Sequence, residues 1–313
     1  MKKIFFFREI MILLVILLAG MIMSFLSPVF LTFDNLMAIL LSLSIESIVV
    51  IGMTILLVSG GFDLSVGSTV ALSSAVTAMS MTSGVPIVIS IVFGLCVGTL
   101  IGIINGVIVA KMKINPFITT LGMMSVARGF LLVVTRARNI AGLPPAFKAL
   151  GQNNLFGVQY PIIIAIVFII VGDTLLRRSR FFRQNYYIGG NERAAVLSGI
   201  DVTFLKIFNY ALTGFLAALA GIIMTARLGA ASVTAGTGLE LKVISAVVIG
   251  GASLQGGEGT VFGSFLGCLL MAIIVNSLTL LGVDIYWNTL VIGATLLVAV
   301  MIDTLGKKRK GLL

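Results

Sequence analysis

Long apolar stretches recur along almost the whole of this 313-residue chain, and they limit what it can fold into. A helix needs about 20 apolar residues to cross the hydrocarbon core of a bilayer. Ten stretches approach or reach that length, and those at 66–81 and 241–254 are the shortest. The predicted spans cover residues 10–26, 36–58, 66–81, 85–110, 116–135, 160–176, 208–226, 241–254, 260–281 and 285–302. The predicted fold class is therefore all-α, a polytopic membrane protein with about ten transmembrane helices.

The composition supports a membrane location and excludes several soluble classes. Hydrophobic residues make up 59% of the chain and charged residues 10%, whereas a soluble domain carries about 25% charged residues. A soluble enzyme, a secreted disulfide scaffold and a disordered regulator are therefore excluded. Histidine is absent, which removes histidine-based catalysis and most zinc sites. Cys96 and Cys268 lie within apolar runs, so we expect them to fill space rather than react.

The distribution of lysine and arginine predicts the orientation of the spans. With a cytoplasmic N-terminus, ten spans place 15 of the 21 basic residues inside and five outside, which favours cytoplasmic N- and C-termini. These short basic connections explain the net charge of +10, and no basic face interleaved with aromatic residues indicates nucleic acid. The predicted domains are a cytoplasmic tail (1–9), one transmembrane domain (10–303) with a cytoplasmic loop (177–207), and a basic cytoplasmic tail (304–313).

No connection between spans is long enough for a nucleotide-binding domain. The longest, residues 136–159 and 177–207, fall far short of the roughly 100 residues that such a domain needs. The glycine-rich run at 256–260 contains no lysine, so it is not a phosphate loop. We therefore expect no catalytic residue, cofactor or metal in this chain, and we expect any ATP to bind to another chain.

Glycine recurs at every fourth position in two of the spans. A small residue at that spacing lines one helix face, where a neighbouring backbone can approach closely. The two runs align at an offset of 169 residues, which pairs the fourth span with the ninth and the third with the eighth. Because paired spans lie five apart, the alignment raises the hypothesis of an inverted 5+5 repeat. The runs are Gly94, Gly98, Gly102 and Gly106, and Gly259, Gly263 and Gly267.

Glycine-rich segments flank both short spans. Short, glycine-interrupted segments at matching places in two halves indicate a translocation path. For Asp63 we favour a simpler role as the N-cap of the third helix over contact with a solute. The candidate pathway and gating residues are Gly60, Gly61, Asp63, Ser65, Gly250, Gly251 and Ser253.

Four polar residues within the spans are candidate solute-facing residues. Glu46 and Arg128 would each cost about 2.5–3.5 kcal/mol facing lipid, so we expect them to face inward and hypothesise that they pair. Asn105 and Asn276 lie in the fourth and ninth spans. Hydrogen bonding between helices is the simpler interpretation of both, and solute contact is the alternative.

The loop at 177–207 carries the signals of a short helix. Asn191 suits the N-cap, Glu192 the first turn and Gly199 the position after the C-cap, so we predict a helix of two turns between them. So short a helix is marginal in water by itself. It must therefore dock, either on the membrane surface or on a cytoplasmic partner.

Three motifs resemble the membrane permeases of carbohydrate ATP-binding-cassette importers, the group that includes the ribose and autoinducer-2 permeases. They are SGGFDLSVGS at 59–68, GGNERAAVLSGI at 189–200 and AVVIGGASLQGG at 246–257. The resemblance implies a bacterial inner-membrane pore of two permease subunits, identical or different. It also implies a cassette ATPase, often a fused double domain, and a periplasmic binding protein that delivers the solute. The implied ATPase-coupling helix contains Gly190, Asn191, Glu192, Ala194, Ala195, Leu197 and Gly199.

Two positions depart from that family and keep the cargo open. Phe62 stands where relatives often carry isoleucine, and Glu46 stands where an uncharged polar residue is usual, which leaves open whether the pore accepts a neutral sugar. The alternatives are a permease for branched-chain amino acids or nucleosides, an ion-coupled carrier and an intramembrane enzyme. The small number of intramembrane carboxylates disfavours an ion-coupled carrier, and the lack of histidine disfavours an intramembrane enzyme.

Overall fold

The computed structural model describes residues 2–284 and 286–309. Within those residues the chain is helical apart from its connections and one two-stranded hairpin, which confirms the predicted all-α class. The elements are α1 Lys2–Leu26, α2 Phe33–Val58, α3 Val66–Thr82, α4 Ile87–Ala110, α5 Pro116–Thr135, α6 Pro145–Gln152, β1 Asn154–Leu155, β2 Val158–Gln159, α7 Tyr160–Arg178, α8 Arg180–Gly190, α9 Glu192–Leu197, α10 Val202–Leu228, α11 Leu239–Ile249, α12 Val261–Leu280 and α13 Tyr286–Arg309. The two strands pair antiparallel.

Seven of the described helices are long and apolar enough to cross a membrane: α1, α2, α4, α5, α7, α10 and α12. The other three predicted spans correspond to α3, α11 and α13, of which α3 has 17 residues and α11 only 11. The predicted span 241–254 extended too far, because the chain leaves the helix at Gly250 and Gly251 has a φ of +90°. At about 1.5 Å per residue, α11 covers about half of the hydrocarbon core.

Both predicted tails contain helix that continues from the neighbouring span, and their cytoplasmic location stays a prediction. Residues 2–9 continue the helix of the first span, because the lysines and the following apolar residues are compatible with a helix. At the other end, α13 continues through Arg309, so the predicted tail 304–313 begins as helix. Met1, Ile285 and residues 310–313 lie outside the described residues.

Helices α2 and α10 form the centre of the bundle. Every residue of α2 from 43 to 58 is buried, and α10 packs against α2, α3 and α4. Helix α2 also packs against α7, α11 and α12, while α1 lies outside on α12. The outer face of α1 is apolar and exposed, with Phe25 at 85%, as expected of a surface that faces lipid.

The glycine faces bring helices into backbone contact, as the spacing predicts. A Cβ atom built on Gly98 of α4 would lie 2.5 Å from both the Gly214 carbonyl oxygen and the Ala218 Cβ of α10. On α12, a Cβ on Gly267 would lie 2.0 Å from the Ala246 carbonyl oxygen of α11. A side chain of any size would therefore separate these helices. The opposite face of α4 exposes apolar side chains, so only its glycine face is central.

Besides the predicted α9, the polar connections carry α6, the hairpin and α8, which we did not predict. Helix α6 packs near the end of α10, whereas α9 packs near its start. Since α10 has 27 residues, its two ends lie about 40 Å apart. Helix α8 has an aromatic face on which Phe181 and Phe182 contact Phe208 of α10. The hairpin follows α6 directly, so the hairpin and α9 lie near opposite ends of α10.

Candidate functional site

The short helix predicted in the loop at 177–207 is α9. The Asn191 side chain caps it, accepting a hydrogen bond of 3.0 Å from the Ala194 N–H. Gly199 follows the C-cap with a φ of +81°, a conformation that favours glycine. Both end signals therefore act as predicted, although the helix between them has only six residues.

Helix α9 is anchored on one side and open on the other. Ala195 is buried in a cluster with Ile188 of α8 and Leu205 of α10. Leu197, by contrast, is 89% exposed, and Val196 is 56% exposed. A groove of about 660 Å³ separates α8 from α9. The anchored face fixes the position of α9, and the open face leaves apolar side chains available for contact.

Both glycine-rich loops meet the end of α8, just before α9. A Cβ atom on Gly189 would lie 2.0 Å from the Val58 carbonyl oxygen and 2.4 Å from the Gly257 nitrogen. The Gly257 N–H donates a 2.9 Å hydrogen bond to Val58, so the loop after α11 is bonded to the end of α2. A Cβ on Gly256 would lie 3.0 Å from the Gly60 nitrogen. Three backbone segments therefore meet here with no side chain between them.

Helix α1 holds the second of these loops through two charged side chains. Arg8 donates to the Gly251 carbonyl at 3.0 Å and pairs with Glu258 at 2.8 Å. Glu9 accepts a 2.6 Å hydrogen bond from the Thr260 hydroxyl at the start of α12. Sequence analysis missed both residues because it assigned them to a tail. An adjacent pair of opposite charges directly before an apolar span was the available signal.

Two further contacts fix the loop at 250–259 internally and to α8. Ser253 is buried, and its hydroxyl accepts a hydrogen bond from the Gln255 N–H at 3.0 Å. The Tyr186 hydroxyl donates to the Gly259 carbonyl at 2.7 Å. Burial raises the pKa of Tyr186 to about 12, so the hydroxyl remains a donor at physiological pH. These contacts give the loop one defined conformation.

Asp63 is buried in the loop before α3, but it does not cap that helix. Ser65 is the N-cap residue, and Asp63 accepts from the Ser65 N–H at 2.7 Å and from its hydroxyl at 2.6 Å. The N-cap prediction was wrong because Asp63 lies two residues before the N-cap, Ser65, and its carboxylate forms a local turn with that residue. Asn105 of α4 donates to Ser65 Oγ at 3.0 Å and to Asp63 at 3.3 Å. Asn105 thus joins α4 to the loop before α3 rather than to another helix, and solute contact stays a prediction.

Glu46 and Arg128 do not pair, so that hypothesis was wrong. Glu46 of α2 pairs instead with Lys242 of α11, at 2.5 Å. Arg128 of α5 donates to the carbonyls of Val233 at 2.8 Å and Ala235 at 3.0 Å. Lys242 was missed because it lies at the start of the shortest apolar stretch and was counted among the outside charges.

The carbonyls that Arg128 binds belong to the non-helical segment at 229–238. This segment packs closely on α3, since a Cβ on Gly67 would lie 2.1 Å from the Gly236 carbonyl oxygen. Closely packed non-helical backbone needs hydrogen-bond partners for its polar groups. Arg128 supplies two such hydrogen bonds, so it holds this segment in place.

Asn276 also joins two helices. Its amide donates to Asn35 Oδ1 at 2.8 Å, and the Asn35 amide returns a 3.2 Å hydrogen bond. The pair connects α12 to α2. The interpretation of Asn276 as a hydrogen-bonding contact between helices is therefore confirmed.

A cavity of about 410 Å³ lies between α2, α10, α11 and α13. Glu46 and Lys242 line it together with Arg227, at the end of α10. Of the four candidate solute-facing residues, only Glu46 reaches this cavity. Sequence analysis did not select Arg227, although a lone arginine closing an apolar span was visible.

Comparison with known proteins places the chain in a family, although no solved structure matches it. Residues 35–300 match the family model described as "Branched-chain amino acid transport system / permease component". A ribose import permease protein of Bacillus subtilis is 41% identical, with 90% of this chain and 88% of that protein covered. Two Escherichia coli proteins also match. The D-allose transport system permease protein is 37% identical, with 89% and 86% covered, and the L-arabinose transport system permease protein is 36% identical, with 90% and 86% covered. The chain therefore belongs to this family of transport-system permease components.

Proposed function

We propose that this chain is the membrane-spanning permease of an ATP-binding-cassette importer for a sugar or sugar-like solute. The observation that carries the proposal is that permeases named for ribose, allose and arabinose align with nearly the whole chain. A separate ATPase supplies the energy, and a periplasmic binding protein delivers the solute. The complex resides in the bacterial inner membrane and includes a second permease, identical or different.

The geometry of α9 supports a docking role for it. The helix is anchored through Ala195 and turns Leu197 and Val196 outward. Burial of exposed apolar residues by a partner lowers the free energy of the complex. The proposed partner is a groove on the ATPase. The contact of Gly189 with Val58 and Gly257 lies at the end of α8, just before this helix in the chain.

The contacts of Gly189 with Val58 and Gly257 support α3 and α11 as membrane crossings, which the proposed ten spans with cytoplasmic termini require. Val58, Gly189 and Gly257 are in contact and therefore lie on one side of the membrane. An even number of crossings must separate each pair of them. If α3 and α11 cross the membrane, four crossings separate Val58 from Gly189 and two separate Gly189 from Gly257. If they do not cross, the numbers are three and one. In this arrangement the segment at 229–238 and α11 cross together as one discontinuous span.

Matching contacts in the two halves support the inverted repeat. Gly94 of α4 packs on Thr77 of α3, and Gly263 of α12 packs on Gly250 of α11. Four residues after these glycines, Gly98 contacts Ser73 and Gly267 contacts Ala246. Each of these partners lies four residues before the partner of the preceding glycine. Both hairpins therefore pack antiparallel through a glycine face, although the partner of Gly263 lies four residues from position 246, which the offset of 169 predicts. In each half, a non-helical segment also precedes the shorter helix.

The test is co-purification of the ATPase with Leu197→Asp. We expect the complex and ATP-driven uptake to be lost, because an acidic side chain replaces the exposed apolar contact. Leu155→Asp in the hairpin is the matched control: an exposed leucine at the other end of the molecule, expected to retain the ATPase. If Leu197→Asp retains both the complex and uptake, the coupling assignment is wrong. Uphill accumulation by the permease alone in liposomes would refute the importer proposal itself.

A branched-chain amino acid is the second candidate solute, because the family description names one. An amino acid offers an ammonium group as well as a carboxylate, so its recognition calls for a free acid in the pathway. Glu46 is already paired with Lys242, which disfavours this candidate. Competition of L-leucine with uptake by the assembled importer distinguishes the two.

A further inference from the structure

The cavity between α2, α10, α11 and α13 has the size and position of a solute chamber. Its volume of about 410 Å³ falls within the roughly 300–1,000 Å³ of typical small-molecule sites. It lies at the end of α10 and the starts of α11 and α13. In the proposed topology these helix ends belong to the outer half of the membrane, where a delivered solute would enter. The inference below rests on the proposed function in this respect.

The charges in this cavity are unbalanced. Glu46 and Lys242 neutralise each other at 2.5 Å, with only 11% and 15% of their side chains exposed. Arg227 also lines the cavity, and no carboxylate in the described part of the chain forms an ion pair with it. Its guanidinium has one long hydrogen bond, 3.5 Å to the Leu41 carbonyl. The cavity therefore carries one positive charge that no described carboxylate pairs with, on a side chain in the last turn of α10 that keeps unused donors.

Neutral polar groups line the same cavity. Ser42, Thr237 and Thr289 are among its lining residues, and the Thr237 hydroxyl donates to the Thr234 carbonyl at 2.8 Å. The Asn288 Oδ1 atom is buried and has no hydrogen-bond partner within the described structure. Because leaving a buried acceptor unpaired costs free energy, this atom favours a ligand that brings a hydroxyl donor.

We infer that this cavity binds a sugar acid, a polyhydroxylated solute with one carboxylate, and that Arg227 is the anion contact. A guanidinium binds a carboxylate through two parallel hydrogen bonds. The hydroxyls of the solute then reach Asn288 and the serine and threonine side chains. A neutral sugar would leave Arg227 uncompensated, and a cation would be repelled by it. The Glu46–Lys242 pair forms the opposite, charge-neutral wall.

The chain contains a built-in probe for this test. Trp287, the single tryptophan, lies on α13 next to Asn288. We would titrate the full-length chain in nanodiscs with D-ribonate and D-ribose, which differ only at the first carbon, and record the fluorescence of Trp287. We expect a saturable change at a concentration at least tenfold lower for D-ribonate.

Three variants assign that preference to Arg227. Arg227→Gln should abolish it, and Arg227→Lys should retain part of it, since an ammonium keeps the charge but loses the paired geometry. Arg138→Gln, an exposed arginine outside the cavity, should behave like the parent chain. The thermal midpoint of each variant checks that it is folded.

Several results would overturn the inference. These are a stronger response to D-ribose, no response to either compound, or an unchanged preference in folded Arg227→Gln, which would make Arg227 an interfacial anchor. Binding of L-leucine in place of both sugars would also overturn it. The titration needs no ATPase, so its failure leaves the importer proposal intact, and loss of ATPase docking would not alter the titration.

Discussion

One methyl group decides whether α4 can seat against α10. At Gly98 a Cβ atom would lie 2.5 Å from both a carbonyl oxygen and a side chain of α10, whereas nothing lies within 4 Å of a Cβ at Gly122 of α5. We predict that Gly98→Ala destabilises the protein by about 1–3 kcal/mol through overpacking. Gly122→Ala, the matched control, should be neutral or stabilising by up to about 1 kcal/mol, since alanine favours a helix. Equal thermal midpoints for the two variants would contradict this packing.

The Glu46–Lys242 pair yields a second residue-scale prediction. Removing one partner from a buried ion pair costs about 3–5 kcal/mol, because the other charge is left uncompensated. Glu46→Gln should therefore lower the unfolding temperature strongly, and adding Lys242→Gln should recover part of the loss. The exposed pair Glu192–Lys206, at 2.7 Å, is the control, and its coupling should stay below about 1 kcal/mol. Additive effects at Glu46 and Lys242 would show that the two do not interact.

These two cases also show what residue-level reasoning from sequence can reach. The glycine contacts were predictable, because a four-residue period places small side chains on one helix face regardless of the partner. The partner of Glu46 was not predictable, because Lys242 lies 196 positions away and only the packing of α2 on α11 brings it near. Arg128 failed as a candidate for the same reason, since its acceptors are backbone carbonyls that no sequence pattern marks.

At the scale of elements, α1 acts as a clamp on the loop at 250–259. Arg8 holds this loop at Gly251 and Glu258, and we predict that Arg8→Ala increases deuterium exchange across residues 250–259. Lys206→Ala removes an ion pair on another element and should leave exchange in this loop unchanged. Unaltered exchange after Arg8→Ala would mean that the backbone contacts with Gly189 suffice by themselves.

Helix ends were predictable where local chemistry defines them. Helix α5 covers 116–135 as predicted. Asn115 caps its start, Pro116 suits the first turn, and Arg136 ends it with a backbone in the left-handed conformation. Helix α11 ends before the predicted 254, because apolar residues continue beyond the glycines that break the helix. Hydropathy reflects burial, and Ala252 and Ser253 of the loop are as buried as the residues of α11. Hydropathy therefore could not separate α11 from the loop that follows it.

At the scale of the whole molecule, the number of crossings decides which side each end of α10 faces. Ten spans put Leu155 outside and Leu197 inside, whereas counting only the seven long apolar helices reverses both. The contact between Val58 and Gly189 argues against the seven-span arrangement, because three crossings would separate the two residues. The two arrangements therefore make opposite predictions for two exposed positions.

Cysteine labelling in intact cells tests this topology. In a background with Cys96→Ala and Cys268→Ala, we predict that a membrane-impermeant maleimide labels Leu155→Cys from outside and labels Leu197→Cys only after the membrane is opened. Both leucines are exposed, so access depends on the side of the membrane and not on burial. The reverse pattern would favour seven crossings. It would then require α3 and α11 to enter and leave by the same face, which the contacts of Gly189 with Val58 and with Gly257 oppose.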